Sequence, residues 1–136
     1  MHVTMEEISM LRGFIEDLNS ESESVVIVEG KRDSEALREL GYRAQILEFH
    51  RFGGMARFVD SVYRYKNLVI LFDSDRKGRY LTRRVIEQLE RRTRIDLSHK
   101  KRLIKITNGK IRTIEELIQY VPFVNDTSWI ASQLIA

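Results

Sequence analysis

The sequence contains no cysteine, and this absence excludes several kinds of chemistry. Disulfide bonds, cysteine-ligated zinc and thiol nucleophiles are ruled out throughout its 136 residues. Histidine is also scarce, and His2, His50 and His99 lie far apart in the chain, which disfavours a multi-histidine metal site. The lack of cysteine is compatible with the cytoplasm, which is the location we expect.

Long apolar runs are also missing. No stretch approaches the roughly 18 apolar residues that a membrane helix needs, so we expect no membrane partner. The first ten residues, MHVTMEEISM, contain acidic side chains and no apolar region of the kind found in signal peptides. With 43% hydrophobic residues, the chain has enough apolar material for a core, and its length predicts a single domain over residues 1–136.

Charge is unevenly distributed along the chain, although the net charge is only +3. Residues 76–112 hold 14 Lys and Arg against Glu87, Glu90 and Asp96, a net charge of +11, whereas the remainder carries −8. A basic segment beside an acidic remainder is typical of a polyanion-binding face. The alternative is a set of solvated helix faces that bind nothing, and charge alone does not decide between the two.

Hydrophobic periodicity predicts helices that alternate with strands. Helices are predicted over 5–19, 34–40, 55–65, 79–91, 98–106 and 113–121, and strands over 24–28, 44–49, 67–72 and 93–97. Asp33 is expected to cap the second helix and Pro122 to end the sixth. A last short helix is expected around Trp129, which would pack on the body or form a dimer contact. This order predicts an α/β fold with a mostly parallel sheet covered by helices on both faces.

Two of the predicted strands run directly into acidic residues. The segment VVIVEGKRD places Glu29 after the first strand, and LVILFDSDRKGR places Asp73 and Asp75 after the third. In an open parallel sheet, binding sites form beyond the carboxyl ends of the strands. If these two strands are neighbours, the three carboxylates meet at one edge of the sheet.

Three crowded carboxylates need a compensating cation, because like charges raise one another's pKa. Mg²⁺ prefers oxygen ligands and is often held by one or two carboxylates together with substrate phosphates. We therefore predict a site for one or two Mg²⁺ ions, in which Mn²⁺ can substitute. Gly30 and Gly78 would let the backbone approach a ligand closely. Each feature also has an ordinary alternative, since turns favour Asp and exposed cations are common; the combination of both strand ends carries the prediction.

Together these two segments resemble the Toprim domain. That domain is shared by type IA and type II topoisomerases, bacterial-type primases, OLD-family nucleases, RecR repair proteins and the nuclease that matures 5S ribosomal RNA. The resemblance covers about residues 24–106, with an N-terminal helix before it and a helical segment over 113–136 after it. In length and sequence it is most similar to small stand-alone Toprim proteins of archaea and some bacteria.

The resemblance implies a compact, Rossmann-like fold and assigns roles to three residues. Glu29 would act as general acid or base or as a metal ligand, and Asp73 and Asp75 would coordinate Mg²⁺. Arg79 departs from topoisomerases and the ribosomal RNA nuclease, which often have glutamate at that place, and agrees with many primases.

The predicted function is metal-dependent phosphoryl transfer on nucleic acid, in the form of RNA or DNA cleavage. Phosphate contacts are predicted for Lys31, Arg76, Lys77, Arg83 and Arg84, and Arg91, Arg92, Arg94 and the run His99–Arg102 would follow the nucleic-acid backbone. Phe52, beside Arg51, is either a stacking platform or a core residue, and the core is favoured.

Other functions remain as alternatives. A non-catalytic nucleic-acid-binding or assembly module would keep the metal site and work with a protein partner or as a homodimer. Topoisomerase and primase activities are not expected, because 136 residues leave no room for the additional domains. A phosphatase of the haloacid dehalogenase type also ends a strand in D-x-D, but Lys77 stands where that family usually has Thr or Val.

Overall fold

The computed structural model of the protein describes residues 2–126, which contain one four-stranded sheet and six α-helices. The strands are β1 (Ser24–Val28), β2 (Ile46–Glu48), β3 (Asn67–Ile70) and β4 (Arg94–Asp96). The α-helices are α1 (Met5–Ser20), α2 (Lys31–Glu39), α3 (Met55–Val62), α4 (Arg76–Leu89), α5 (Ser98–Ile106) and α6 (Val121–Val124), and 3-10 segments span Phe49–Arg51 and Ile114–Tyr120. The helix predicted around Trp129, with its dimer contact, lies outside the described residues.

The sheet is parallel throughout and has the strand order β2-β1-β3-β4. The chain leaves β1 toward β2 on one side and later returns to place β3 on the other side. The predicted α/β fold is thereby confirmed, and its arrangement is Rossmann-like. Because β1 and β3 are direct neighbours, in the register Ile27↔Ile70, their carboxyl ends lie side by side.

Both faces of the sheet are covered by helices, because β1 and β3 are apolar on both sides. Val26 and Val69 pack into one buried cluster with side chains of α1, α2, α5 and the 3-10 segment Ile114–Tyr120. Ile27 and Ile70 pack into a second cluster with side chains of α3 and α4. Burying one such aliphatic side chain contributes about 1.5–3 kcal/mol. Within residues 2–126, no helix is both long enough and apolar enough to cross a membrane.

The helices that follow β1 and β3 begin earlier than the sequence predicts. α2 begins at Lys31 rather than at residue 34, because Gly30 is its N-cap and Asp33, in the first turn, accepts a hydrogen bond from the Gly30 N–H at 3.0 Å. α4 begins at Arg76 rather than at residue 79, because Asp75 is its N-cap. The prediction that Asp33 is the N-cap of α2 is therefore wrong.

The region of the sixth predicted helix also differs from the prediction. Residues 114–120 form a 3-10 segment, and the chain continues directly into α6. Pro122 does not end a helix but lies in the first turn of α6. Proline is tolerated there because the N–H that it lacks would have no partner within the helix.

Candidate metal centre

Three carboxylates meet at the carboxyl edge of the sheet, where β1 and β3 end next to each other. Glu29 follows β1 directly, and Asp73 and Asp75 follow the extended chain that leaves β3. One oxygen from each of the three groups lies within 4.8 Å of the other two. Glu29 is buried, Asp73 is half-buried and Asp75 is exposed, so the group is open to solvent on the Asp75 side.

Backbone N–H groups hold these carboxylates in place. Glu29 Oε2 accepts a hydrogen bond from the N–H of Asp73 at 2.7 Å, which joins the ends of the two strands directly. Asp75 Oδ1 accepts from the N–H of Gly78 at 2.7 Å and caps α4. Asp75 is therefore both an ordinary helix cap and a member of the acidic group.

The C-terminal part of the described chain also contributes to the site. Asp73 Oδ1 accepts from the N–H of Ile114 at 2.9 Å, and Asp33 Oδ1 accepts from the N–H of Glu115 at 3.0 Å. Ser74 donates its N–H to the carbonyl of Arg112 at 2.7 Å. The start of the 3-10 segment thus lies against the acidic edge, a contribution that the sequence did not predict, since residue 114 follows the segment that resembles Toprim.

Crowding and burial shift the protonation of the acidic groups. Burial raises the pKa of Glu29 to about 7; the hydrogen bond from the Asp73 N–H opposes this rise, and the charges of Asp73 and Asp75 add to it. Burial also raises the pKa of Asp33 to about 6, against the opposing hydrogen bond from Gly30. A carboxyl group with a pKa near neutrality is suited to proton transfer.

Lys100 adds a cation beside the acidic group. The sequence placed it in the basic run His99–Arg102 that was predicted to follow a nucleic-acid backbone. In the structure its ammonium group donates a hydrogen bond to the carbonyl of Phe72, one residue before Asp73. Burial lowers the pKa of Lys100, although four neighbouring carboxylates act to raise it. No sequence signal distinguishes Lys100 from the adjacent Lys101, because the difference is one of position on α5.

The rest of that basic run is divided between other roles. His99 is buried, with Nε2 3.0 Å from Glu21 Oε1, so its predicted contact with a nucleic-acid backbone is wrong. Arg102 pairs with Asp17 of α1 at 2.6 Å. Lys101 is exposed. Within the described part of the chain, Lys101 is therefore the one member of the run His99–Arg102 that is exposed and has no charged partner.

The predicted phosphate-contacting cations lie at different distances from the carboxylates. Lys31 begins α2, and Arg76 and Lys77 begin α4; all three side chains are exposed at helix ends that favour anions. Arg83 is exposed farther along α4, and Arg84 pairs with Glu87 at 3.4 Å. Arg91, Arg92 and Arg94 follow the opposite end of α4, and its 14 residues span about 20 Å. These last three arginines therefore lie away from the carboxylate edge.

The two glycines of the motifs have different surroundings. The N–H of Gly30 caps α2 through Asp33, and a Cβ on Gly30 would lie 3.3 Å from Nδ1 of His50. Gly78 is buried, and a Cβ there would lie 2.0 Å from the carbonyl oxygen of Asp73. The close approach at Gly78 is thus between α4 and the turn that carries Asp73. The approach of the Gly78 backbone to a ligand stays a prediction.

Phe52 joins the edge of a core cluster, which agrees with the favoured interpretation. Its ring meets that of Phe58 edge-on, with 5.3 Å between the centroids. A second group of possible metal ligands, Glu21, Asp96 and His99, also lies within 4.8 Å. There, hydrogen bonds between His99 and Glu21, and from Ser98 to Asp96, already pair the polar atoms and fasten α5 to the loop before β1.

Comparison with known proteins finds relatives in archaea. The chain is 39% identical over 98 residues to a UPF0292 protein of Thermococcus gammatolerans, a match that covers 71% of this chain and 73% of that protein. It is 34% identical over 111 residues to a UPF0292 protein of Methanocaldococcus jannaschii, covering 79% and 86%. A solved structure of a protein from Aquifex aeolicus matches with a TM-score of 0.64 and 27% identity, covering 76% of this chain and 94% of that one. No protein-family model matches the chain.

Proposed function

The chain belongs to the UPF0292 family, and we propose that it is a Toprim-type protein that binds Mg²⁺ and cleaves phosphodiester bonds in nucleic acid. The observation that carries this proposal is the meeting of Glu29, Asp73 and Asp75 within 4.8 Å at the carboxyl ends of two adjacent parallel strands. The resemblance of both strand-end segments to the Toprim pattern supports the same assignment. The identity of the polymer, RNA or DNA, is left to the assay.

The donor set fits a hard divalent cation. All three groups offer carboxylate oxygens, the ligands that Mg²⁺ and Mn²⁺ share, and there is no thiolate or imidazole among them. The exposure of Asp75 leaves room for water or a substrate phosphate on one side. Bound there, Mg²⁺ would neutralise charge on the scissile phosphate and activate or orient a water molecule.

The surrounding side chains divide the remaining tasks. Glu29, the most buried of the three carboxylates, would serve as general base or complete the set of metal ligands. Lys31, Arg76 and Lys77 would contact phosphate oxygens at the two helix ends that face the same edge. These contacts carry no base information, so cleavage would depend on backbone and shape more than on sequence.

A nuclease assay with purified protein tests this function. End-labelled single- and double-stranded RNA and DNA are incubated with Mg²⁺, Mn²⁺ or EDTA. Glu29→Gln and the double variant Asp73→Asn/Asp75→Asn are compared with wild type. We expect metal-dependent cleavage by wild type. Glu29→Gln should lose about 100-fold or more, the range typical for loss of a general acid–base group, and the double variant should lose cleavage together with its metal ligands.

The matched control is Asp60→Asn, because Asp60 is exposed on α3 outside the acidic group. It should cleave like wild type, and circular dichroism should show that all variants are folded. Cleavage that persists in EDTA or in the double Asp variant would contradict the proposal. Metal binding that the Asp variants lose, without cleavage of any polymer, would instead assign the protein to the alternative class of non-catalytic modules.

A further inference from the structure

β4 is short, and this leaves the edge of β3 uncovered near the carboxylates. β4 pairs with only the first three residues of β3. Beyond them, on the side where β4 would continue, the carbonyl of Phe72 is bonded by the ammonium group of Lys100 instead of by a strand. A cavity of about 370 Å³ lies at this place, between α4 and α5. It lies beside the acidic group, because Asp73 forms part of its wall.

The lining of this cavity combines apolar surface with positive charge. Its apolar part is formed by Ile70, Phe72, Leu97 and Ile104. Ile104 is 37% exposed, which places apolar surface at the mouth of the cavity. The wall also contains the cations Arg79, Lys100 and Lys101, together with Asp73, Ser74 and Thr82. The cavity therefore suits a ligand that has an apolar body and an anionic group.

Two of these cations have no ion-pair partner within residues 2–126. Among residues 2–126, neither Arg79 nor Lys101 forms an ion pair or a side-chain hydrogen bond. Arg102, the next residue after Lys101, is by contrast paired with Asp17 at 2.6 Å. Positive charge is thus available at the cavity and is compensated elsewhere on the same helix.

We propose that this cavity binds the base and sugar of the nucleotide whose phosphate lies at the Glu29/Asp73/Asp75 centre. The inference deepens the proposed function and rests on it for the position of the phosphate. A volume of about 370 Å³ lies at the lower end of the range for small-molecule sites, which is about 300–1,000 Å³. The apolar wall would pack against the base and sugar, while Arg79 and Lys101 would meet phosphate oxygens.

The same lining predicts weak discrimination between bases. Ser74 and Thr82 are the two neutral hydroxyls of the lining, and Thr82 already donates to the carbonyl of Gly78 at 2.8 Å. Contact through an apolar wall tolerates every base, because each base has an apolar face. Purine and pyrimidine nucleotides should therefore bind with affinities within about threefold of each other.

Methyl NMR of protein with ¹³C-labelled isoleucine δ1 methyl groups tests the cavity directly. Ile104 reports from its mouth, and Ile118, an isoleucine of similar exposure away from the cavity, is the control. Adenosine and uridine 5′-monophosphate are titrated in Mg²⁺, with inorganic phosphate as a separate probe. We expect both nucleotides to shift the Ile104 methyl resonance, phosphate alone to leave it in place, and Ile118 to remain unchanged.

Charge variants supply the matched comparison. Lys101→Ala should raise the Kd of the nucleotide about three- to tenfold, which is the effect of losing one charge-assisted contact. Lys105→Ala removes a lysine from the same helix at an exposed position outside the cavity and should leave the Kd unchanged. Three results would overturn the proposal: an Ile104 resonance that does not shift with nucleotide, one that shifts equally with phosphate alone, or the same Kd for both variants.

Failure of the cavity proposal and failure of the proposed function would give different experimental results. Cleavage with Mg²⁺ while Ile104 ignores nucleotide would remove the cavity proposal and keep the function. Nucleotide binding at Ile104 by a protein that neither binds Mg²⁺ nor cleaves would keep the cavity and remove the function. A short 5′-phosphorylated oligonucleotide distinguishes the two sources of the ligand. If the oligonucleotide shifts the Ile104 resonance, the cavity binds the end of a strand. If only the mononucleotides shift it, the cavity binds a free nucleotide.

Discussion

Gly78 shows how one absent side chain holds the acidic group together. A Cβ at this position would lie 2.0 Å from the carbonyl oxygen of Asp73 and 2.9 Å from its nitrogen, distances that no side chain can occupy. Because both contacts are backbone atoms, Gly78→Ala should push α4 away from the turn that carries Asp73. We expect the free energy of unfolding, measured by urea denaturation, to fall by about 3 kcal/mol.

Gly13→Ala is the matched control for this substitution. Gly13 lies inside α1, where a Cβ would meet its nearest neighbour, Nη2 of Arg102, at an ordinary 3.7 Å. Alanine is favoured over glycine in a helix by up to about 1 kcal/mol, so this variant should be equal to wild type or more stable. A Gly78→Ala protein as stable as wild type would show that α4 can shift at no cost.

At the scale of elements, Glu7 joins α1 to the C-terminal part of the described chain. Its carboxylate caps α1 through the N–H of Thr4, pairs with Lys110 at 2.6 Å and accepts from the hydroxyl of Tyr120 at 2.7 Å. Burial alone would raise the pKa of Glu7, but the bonds from Lys110, Tyr120 and Thr4 outweigh it and lower the pKa to about 2. The ionised carboxylate is thus stabilised by folding.

This shift predicts a loss of stability in acid. A carboxyl group whose folded pKa is depressed contributes its full stabilisation above the ordinary value of 4.5 and loses it as the pH falls toward 2. Glu7→Gln should lower the free energy of unfolding at pH 7 by about 2 kcal/mol, less than for a fully buried pair because Lys110 is partly exposed. The difference between variant and wild type should shrink between pH 4.5 and 2.

The neighbouring Glu6→Gln serves as the control in these urea titrations, because Glu6 is exposed in the same turn of α1. It should change the free energy of unfolding by less than about 0.5 kcal/mol at either pH. If Glu7→Gln also left the free energy of unfolding unchanged, the packing of α1 would depend on its apolar face alone.

Elements were predictable from the sequence where one local pattern decides them. The apolar spacing of α1 and the apolar runs of β1 and β3 locate these elements to within two residues. The starts of α2 and α4 were missed by three residues, because Asp33 and the cations after Asp75 fit a first helical turn as well as a loop. The meeting of Glu29 and Asp73 could be predicted, because it follows from the adjacency of β1 and β3. The bond from Lys100 to the Phe72 carbonyl and the bond from the Ile114 N–H to Asp73 could not, because they depend on contacts between distant parts of the chain.

At the scale of the whole molecule, the basic segment is partly neutralised by the rest of the fold. Arg102 and Lys110 pair with Asp17 and Glu7 of α1, each at 2.6 Å. The uncompensated cations near the start of α4 lie at the carboxylate edge, where a polyanion would be cleaved under the proposed function. Arg91 and Arg92 also stay exposed and without an ion pair among the described residues, but they lie beyond the opposite end of α4. The proposed binding face is therefore set by the position of the cations in the fold and not by pairing alone.

The salt dependence of oligonucleotide binding tests whether binding is confined to the carboxylate edge. Arg79→Ala should weaken binding of a single strand about three- to tenfold at low salt and reduce the slope of log K against log salt by about 0.7, the value for one lost phosphate contact. Arg91→Ala, which removes an exposed arginine beyond the opposite end of α4, should change neither quantity. Equal effects of the two variants, measured by fluorescence anisotropy, would contradict a binding face confined to the carboxylate edge.

The bond from the Ile114 N–H to Asp73 also has a consequence for the timing of protein synthesis. The acidic edge is built from residues 29, 73 and 75 and is closed by the backbone of residue 114, which follows Asp73 by 41 positions. Chains emerge from the ribosome amino end first, at about 5–20 residues per second. A nascent chain that has exposed all three acids still lacks the peptide group that fixes one of them. The complete centre therefore arises only after translation has passed this segment, some seconds after its first residue has emerged.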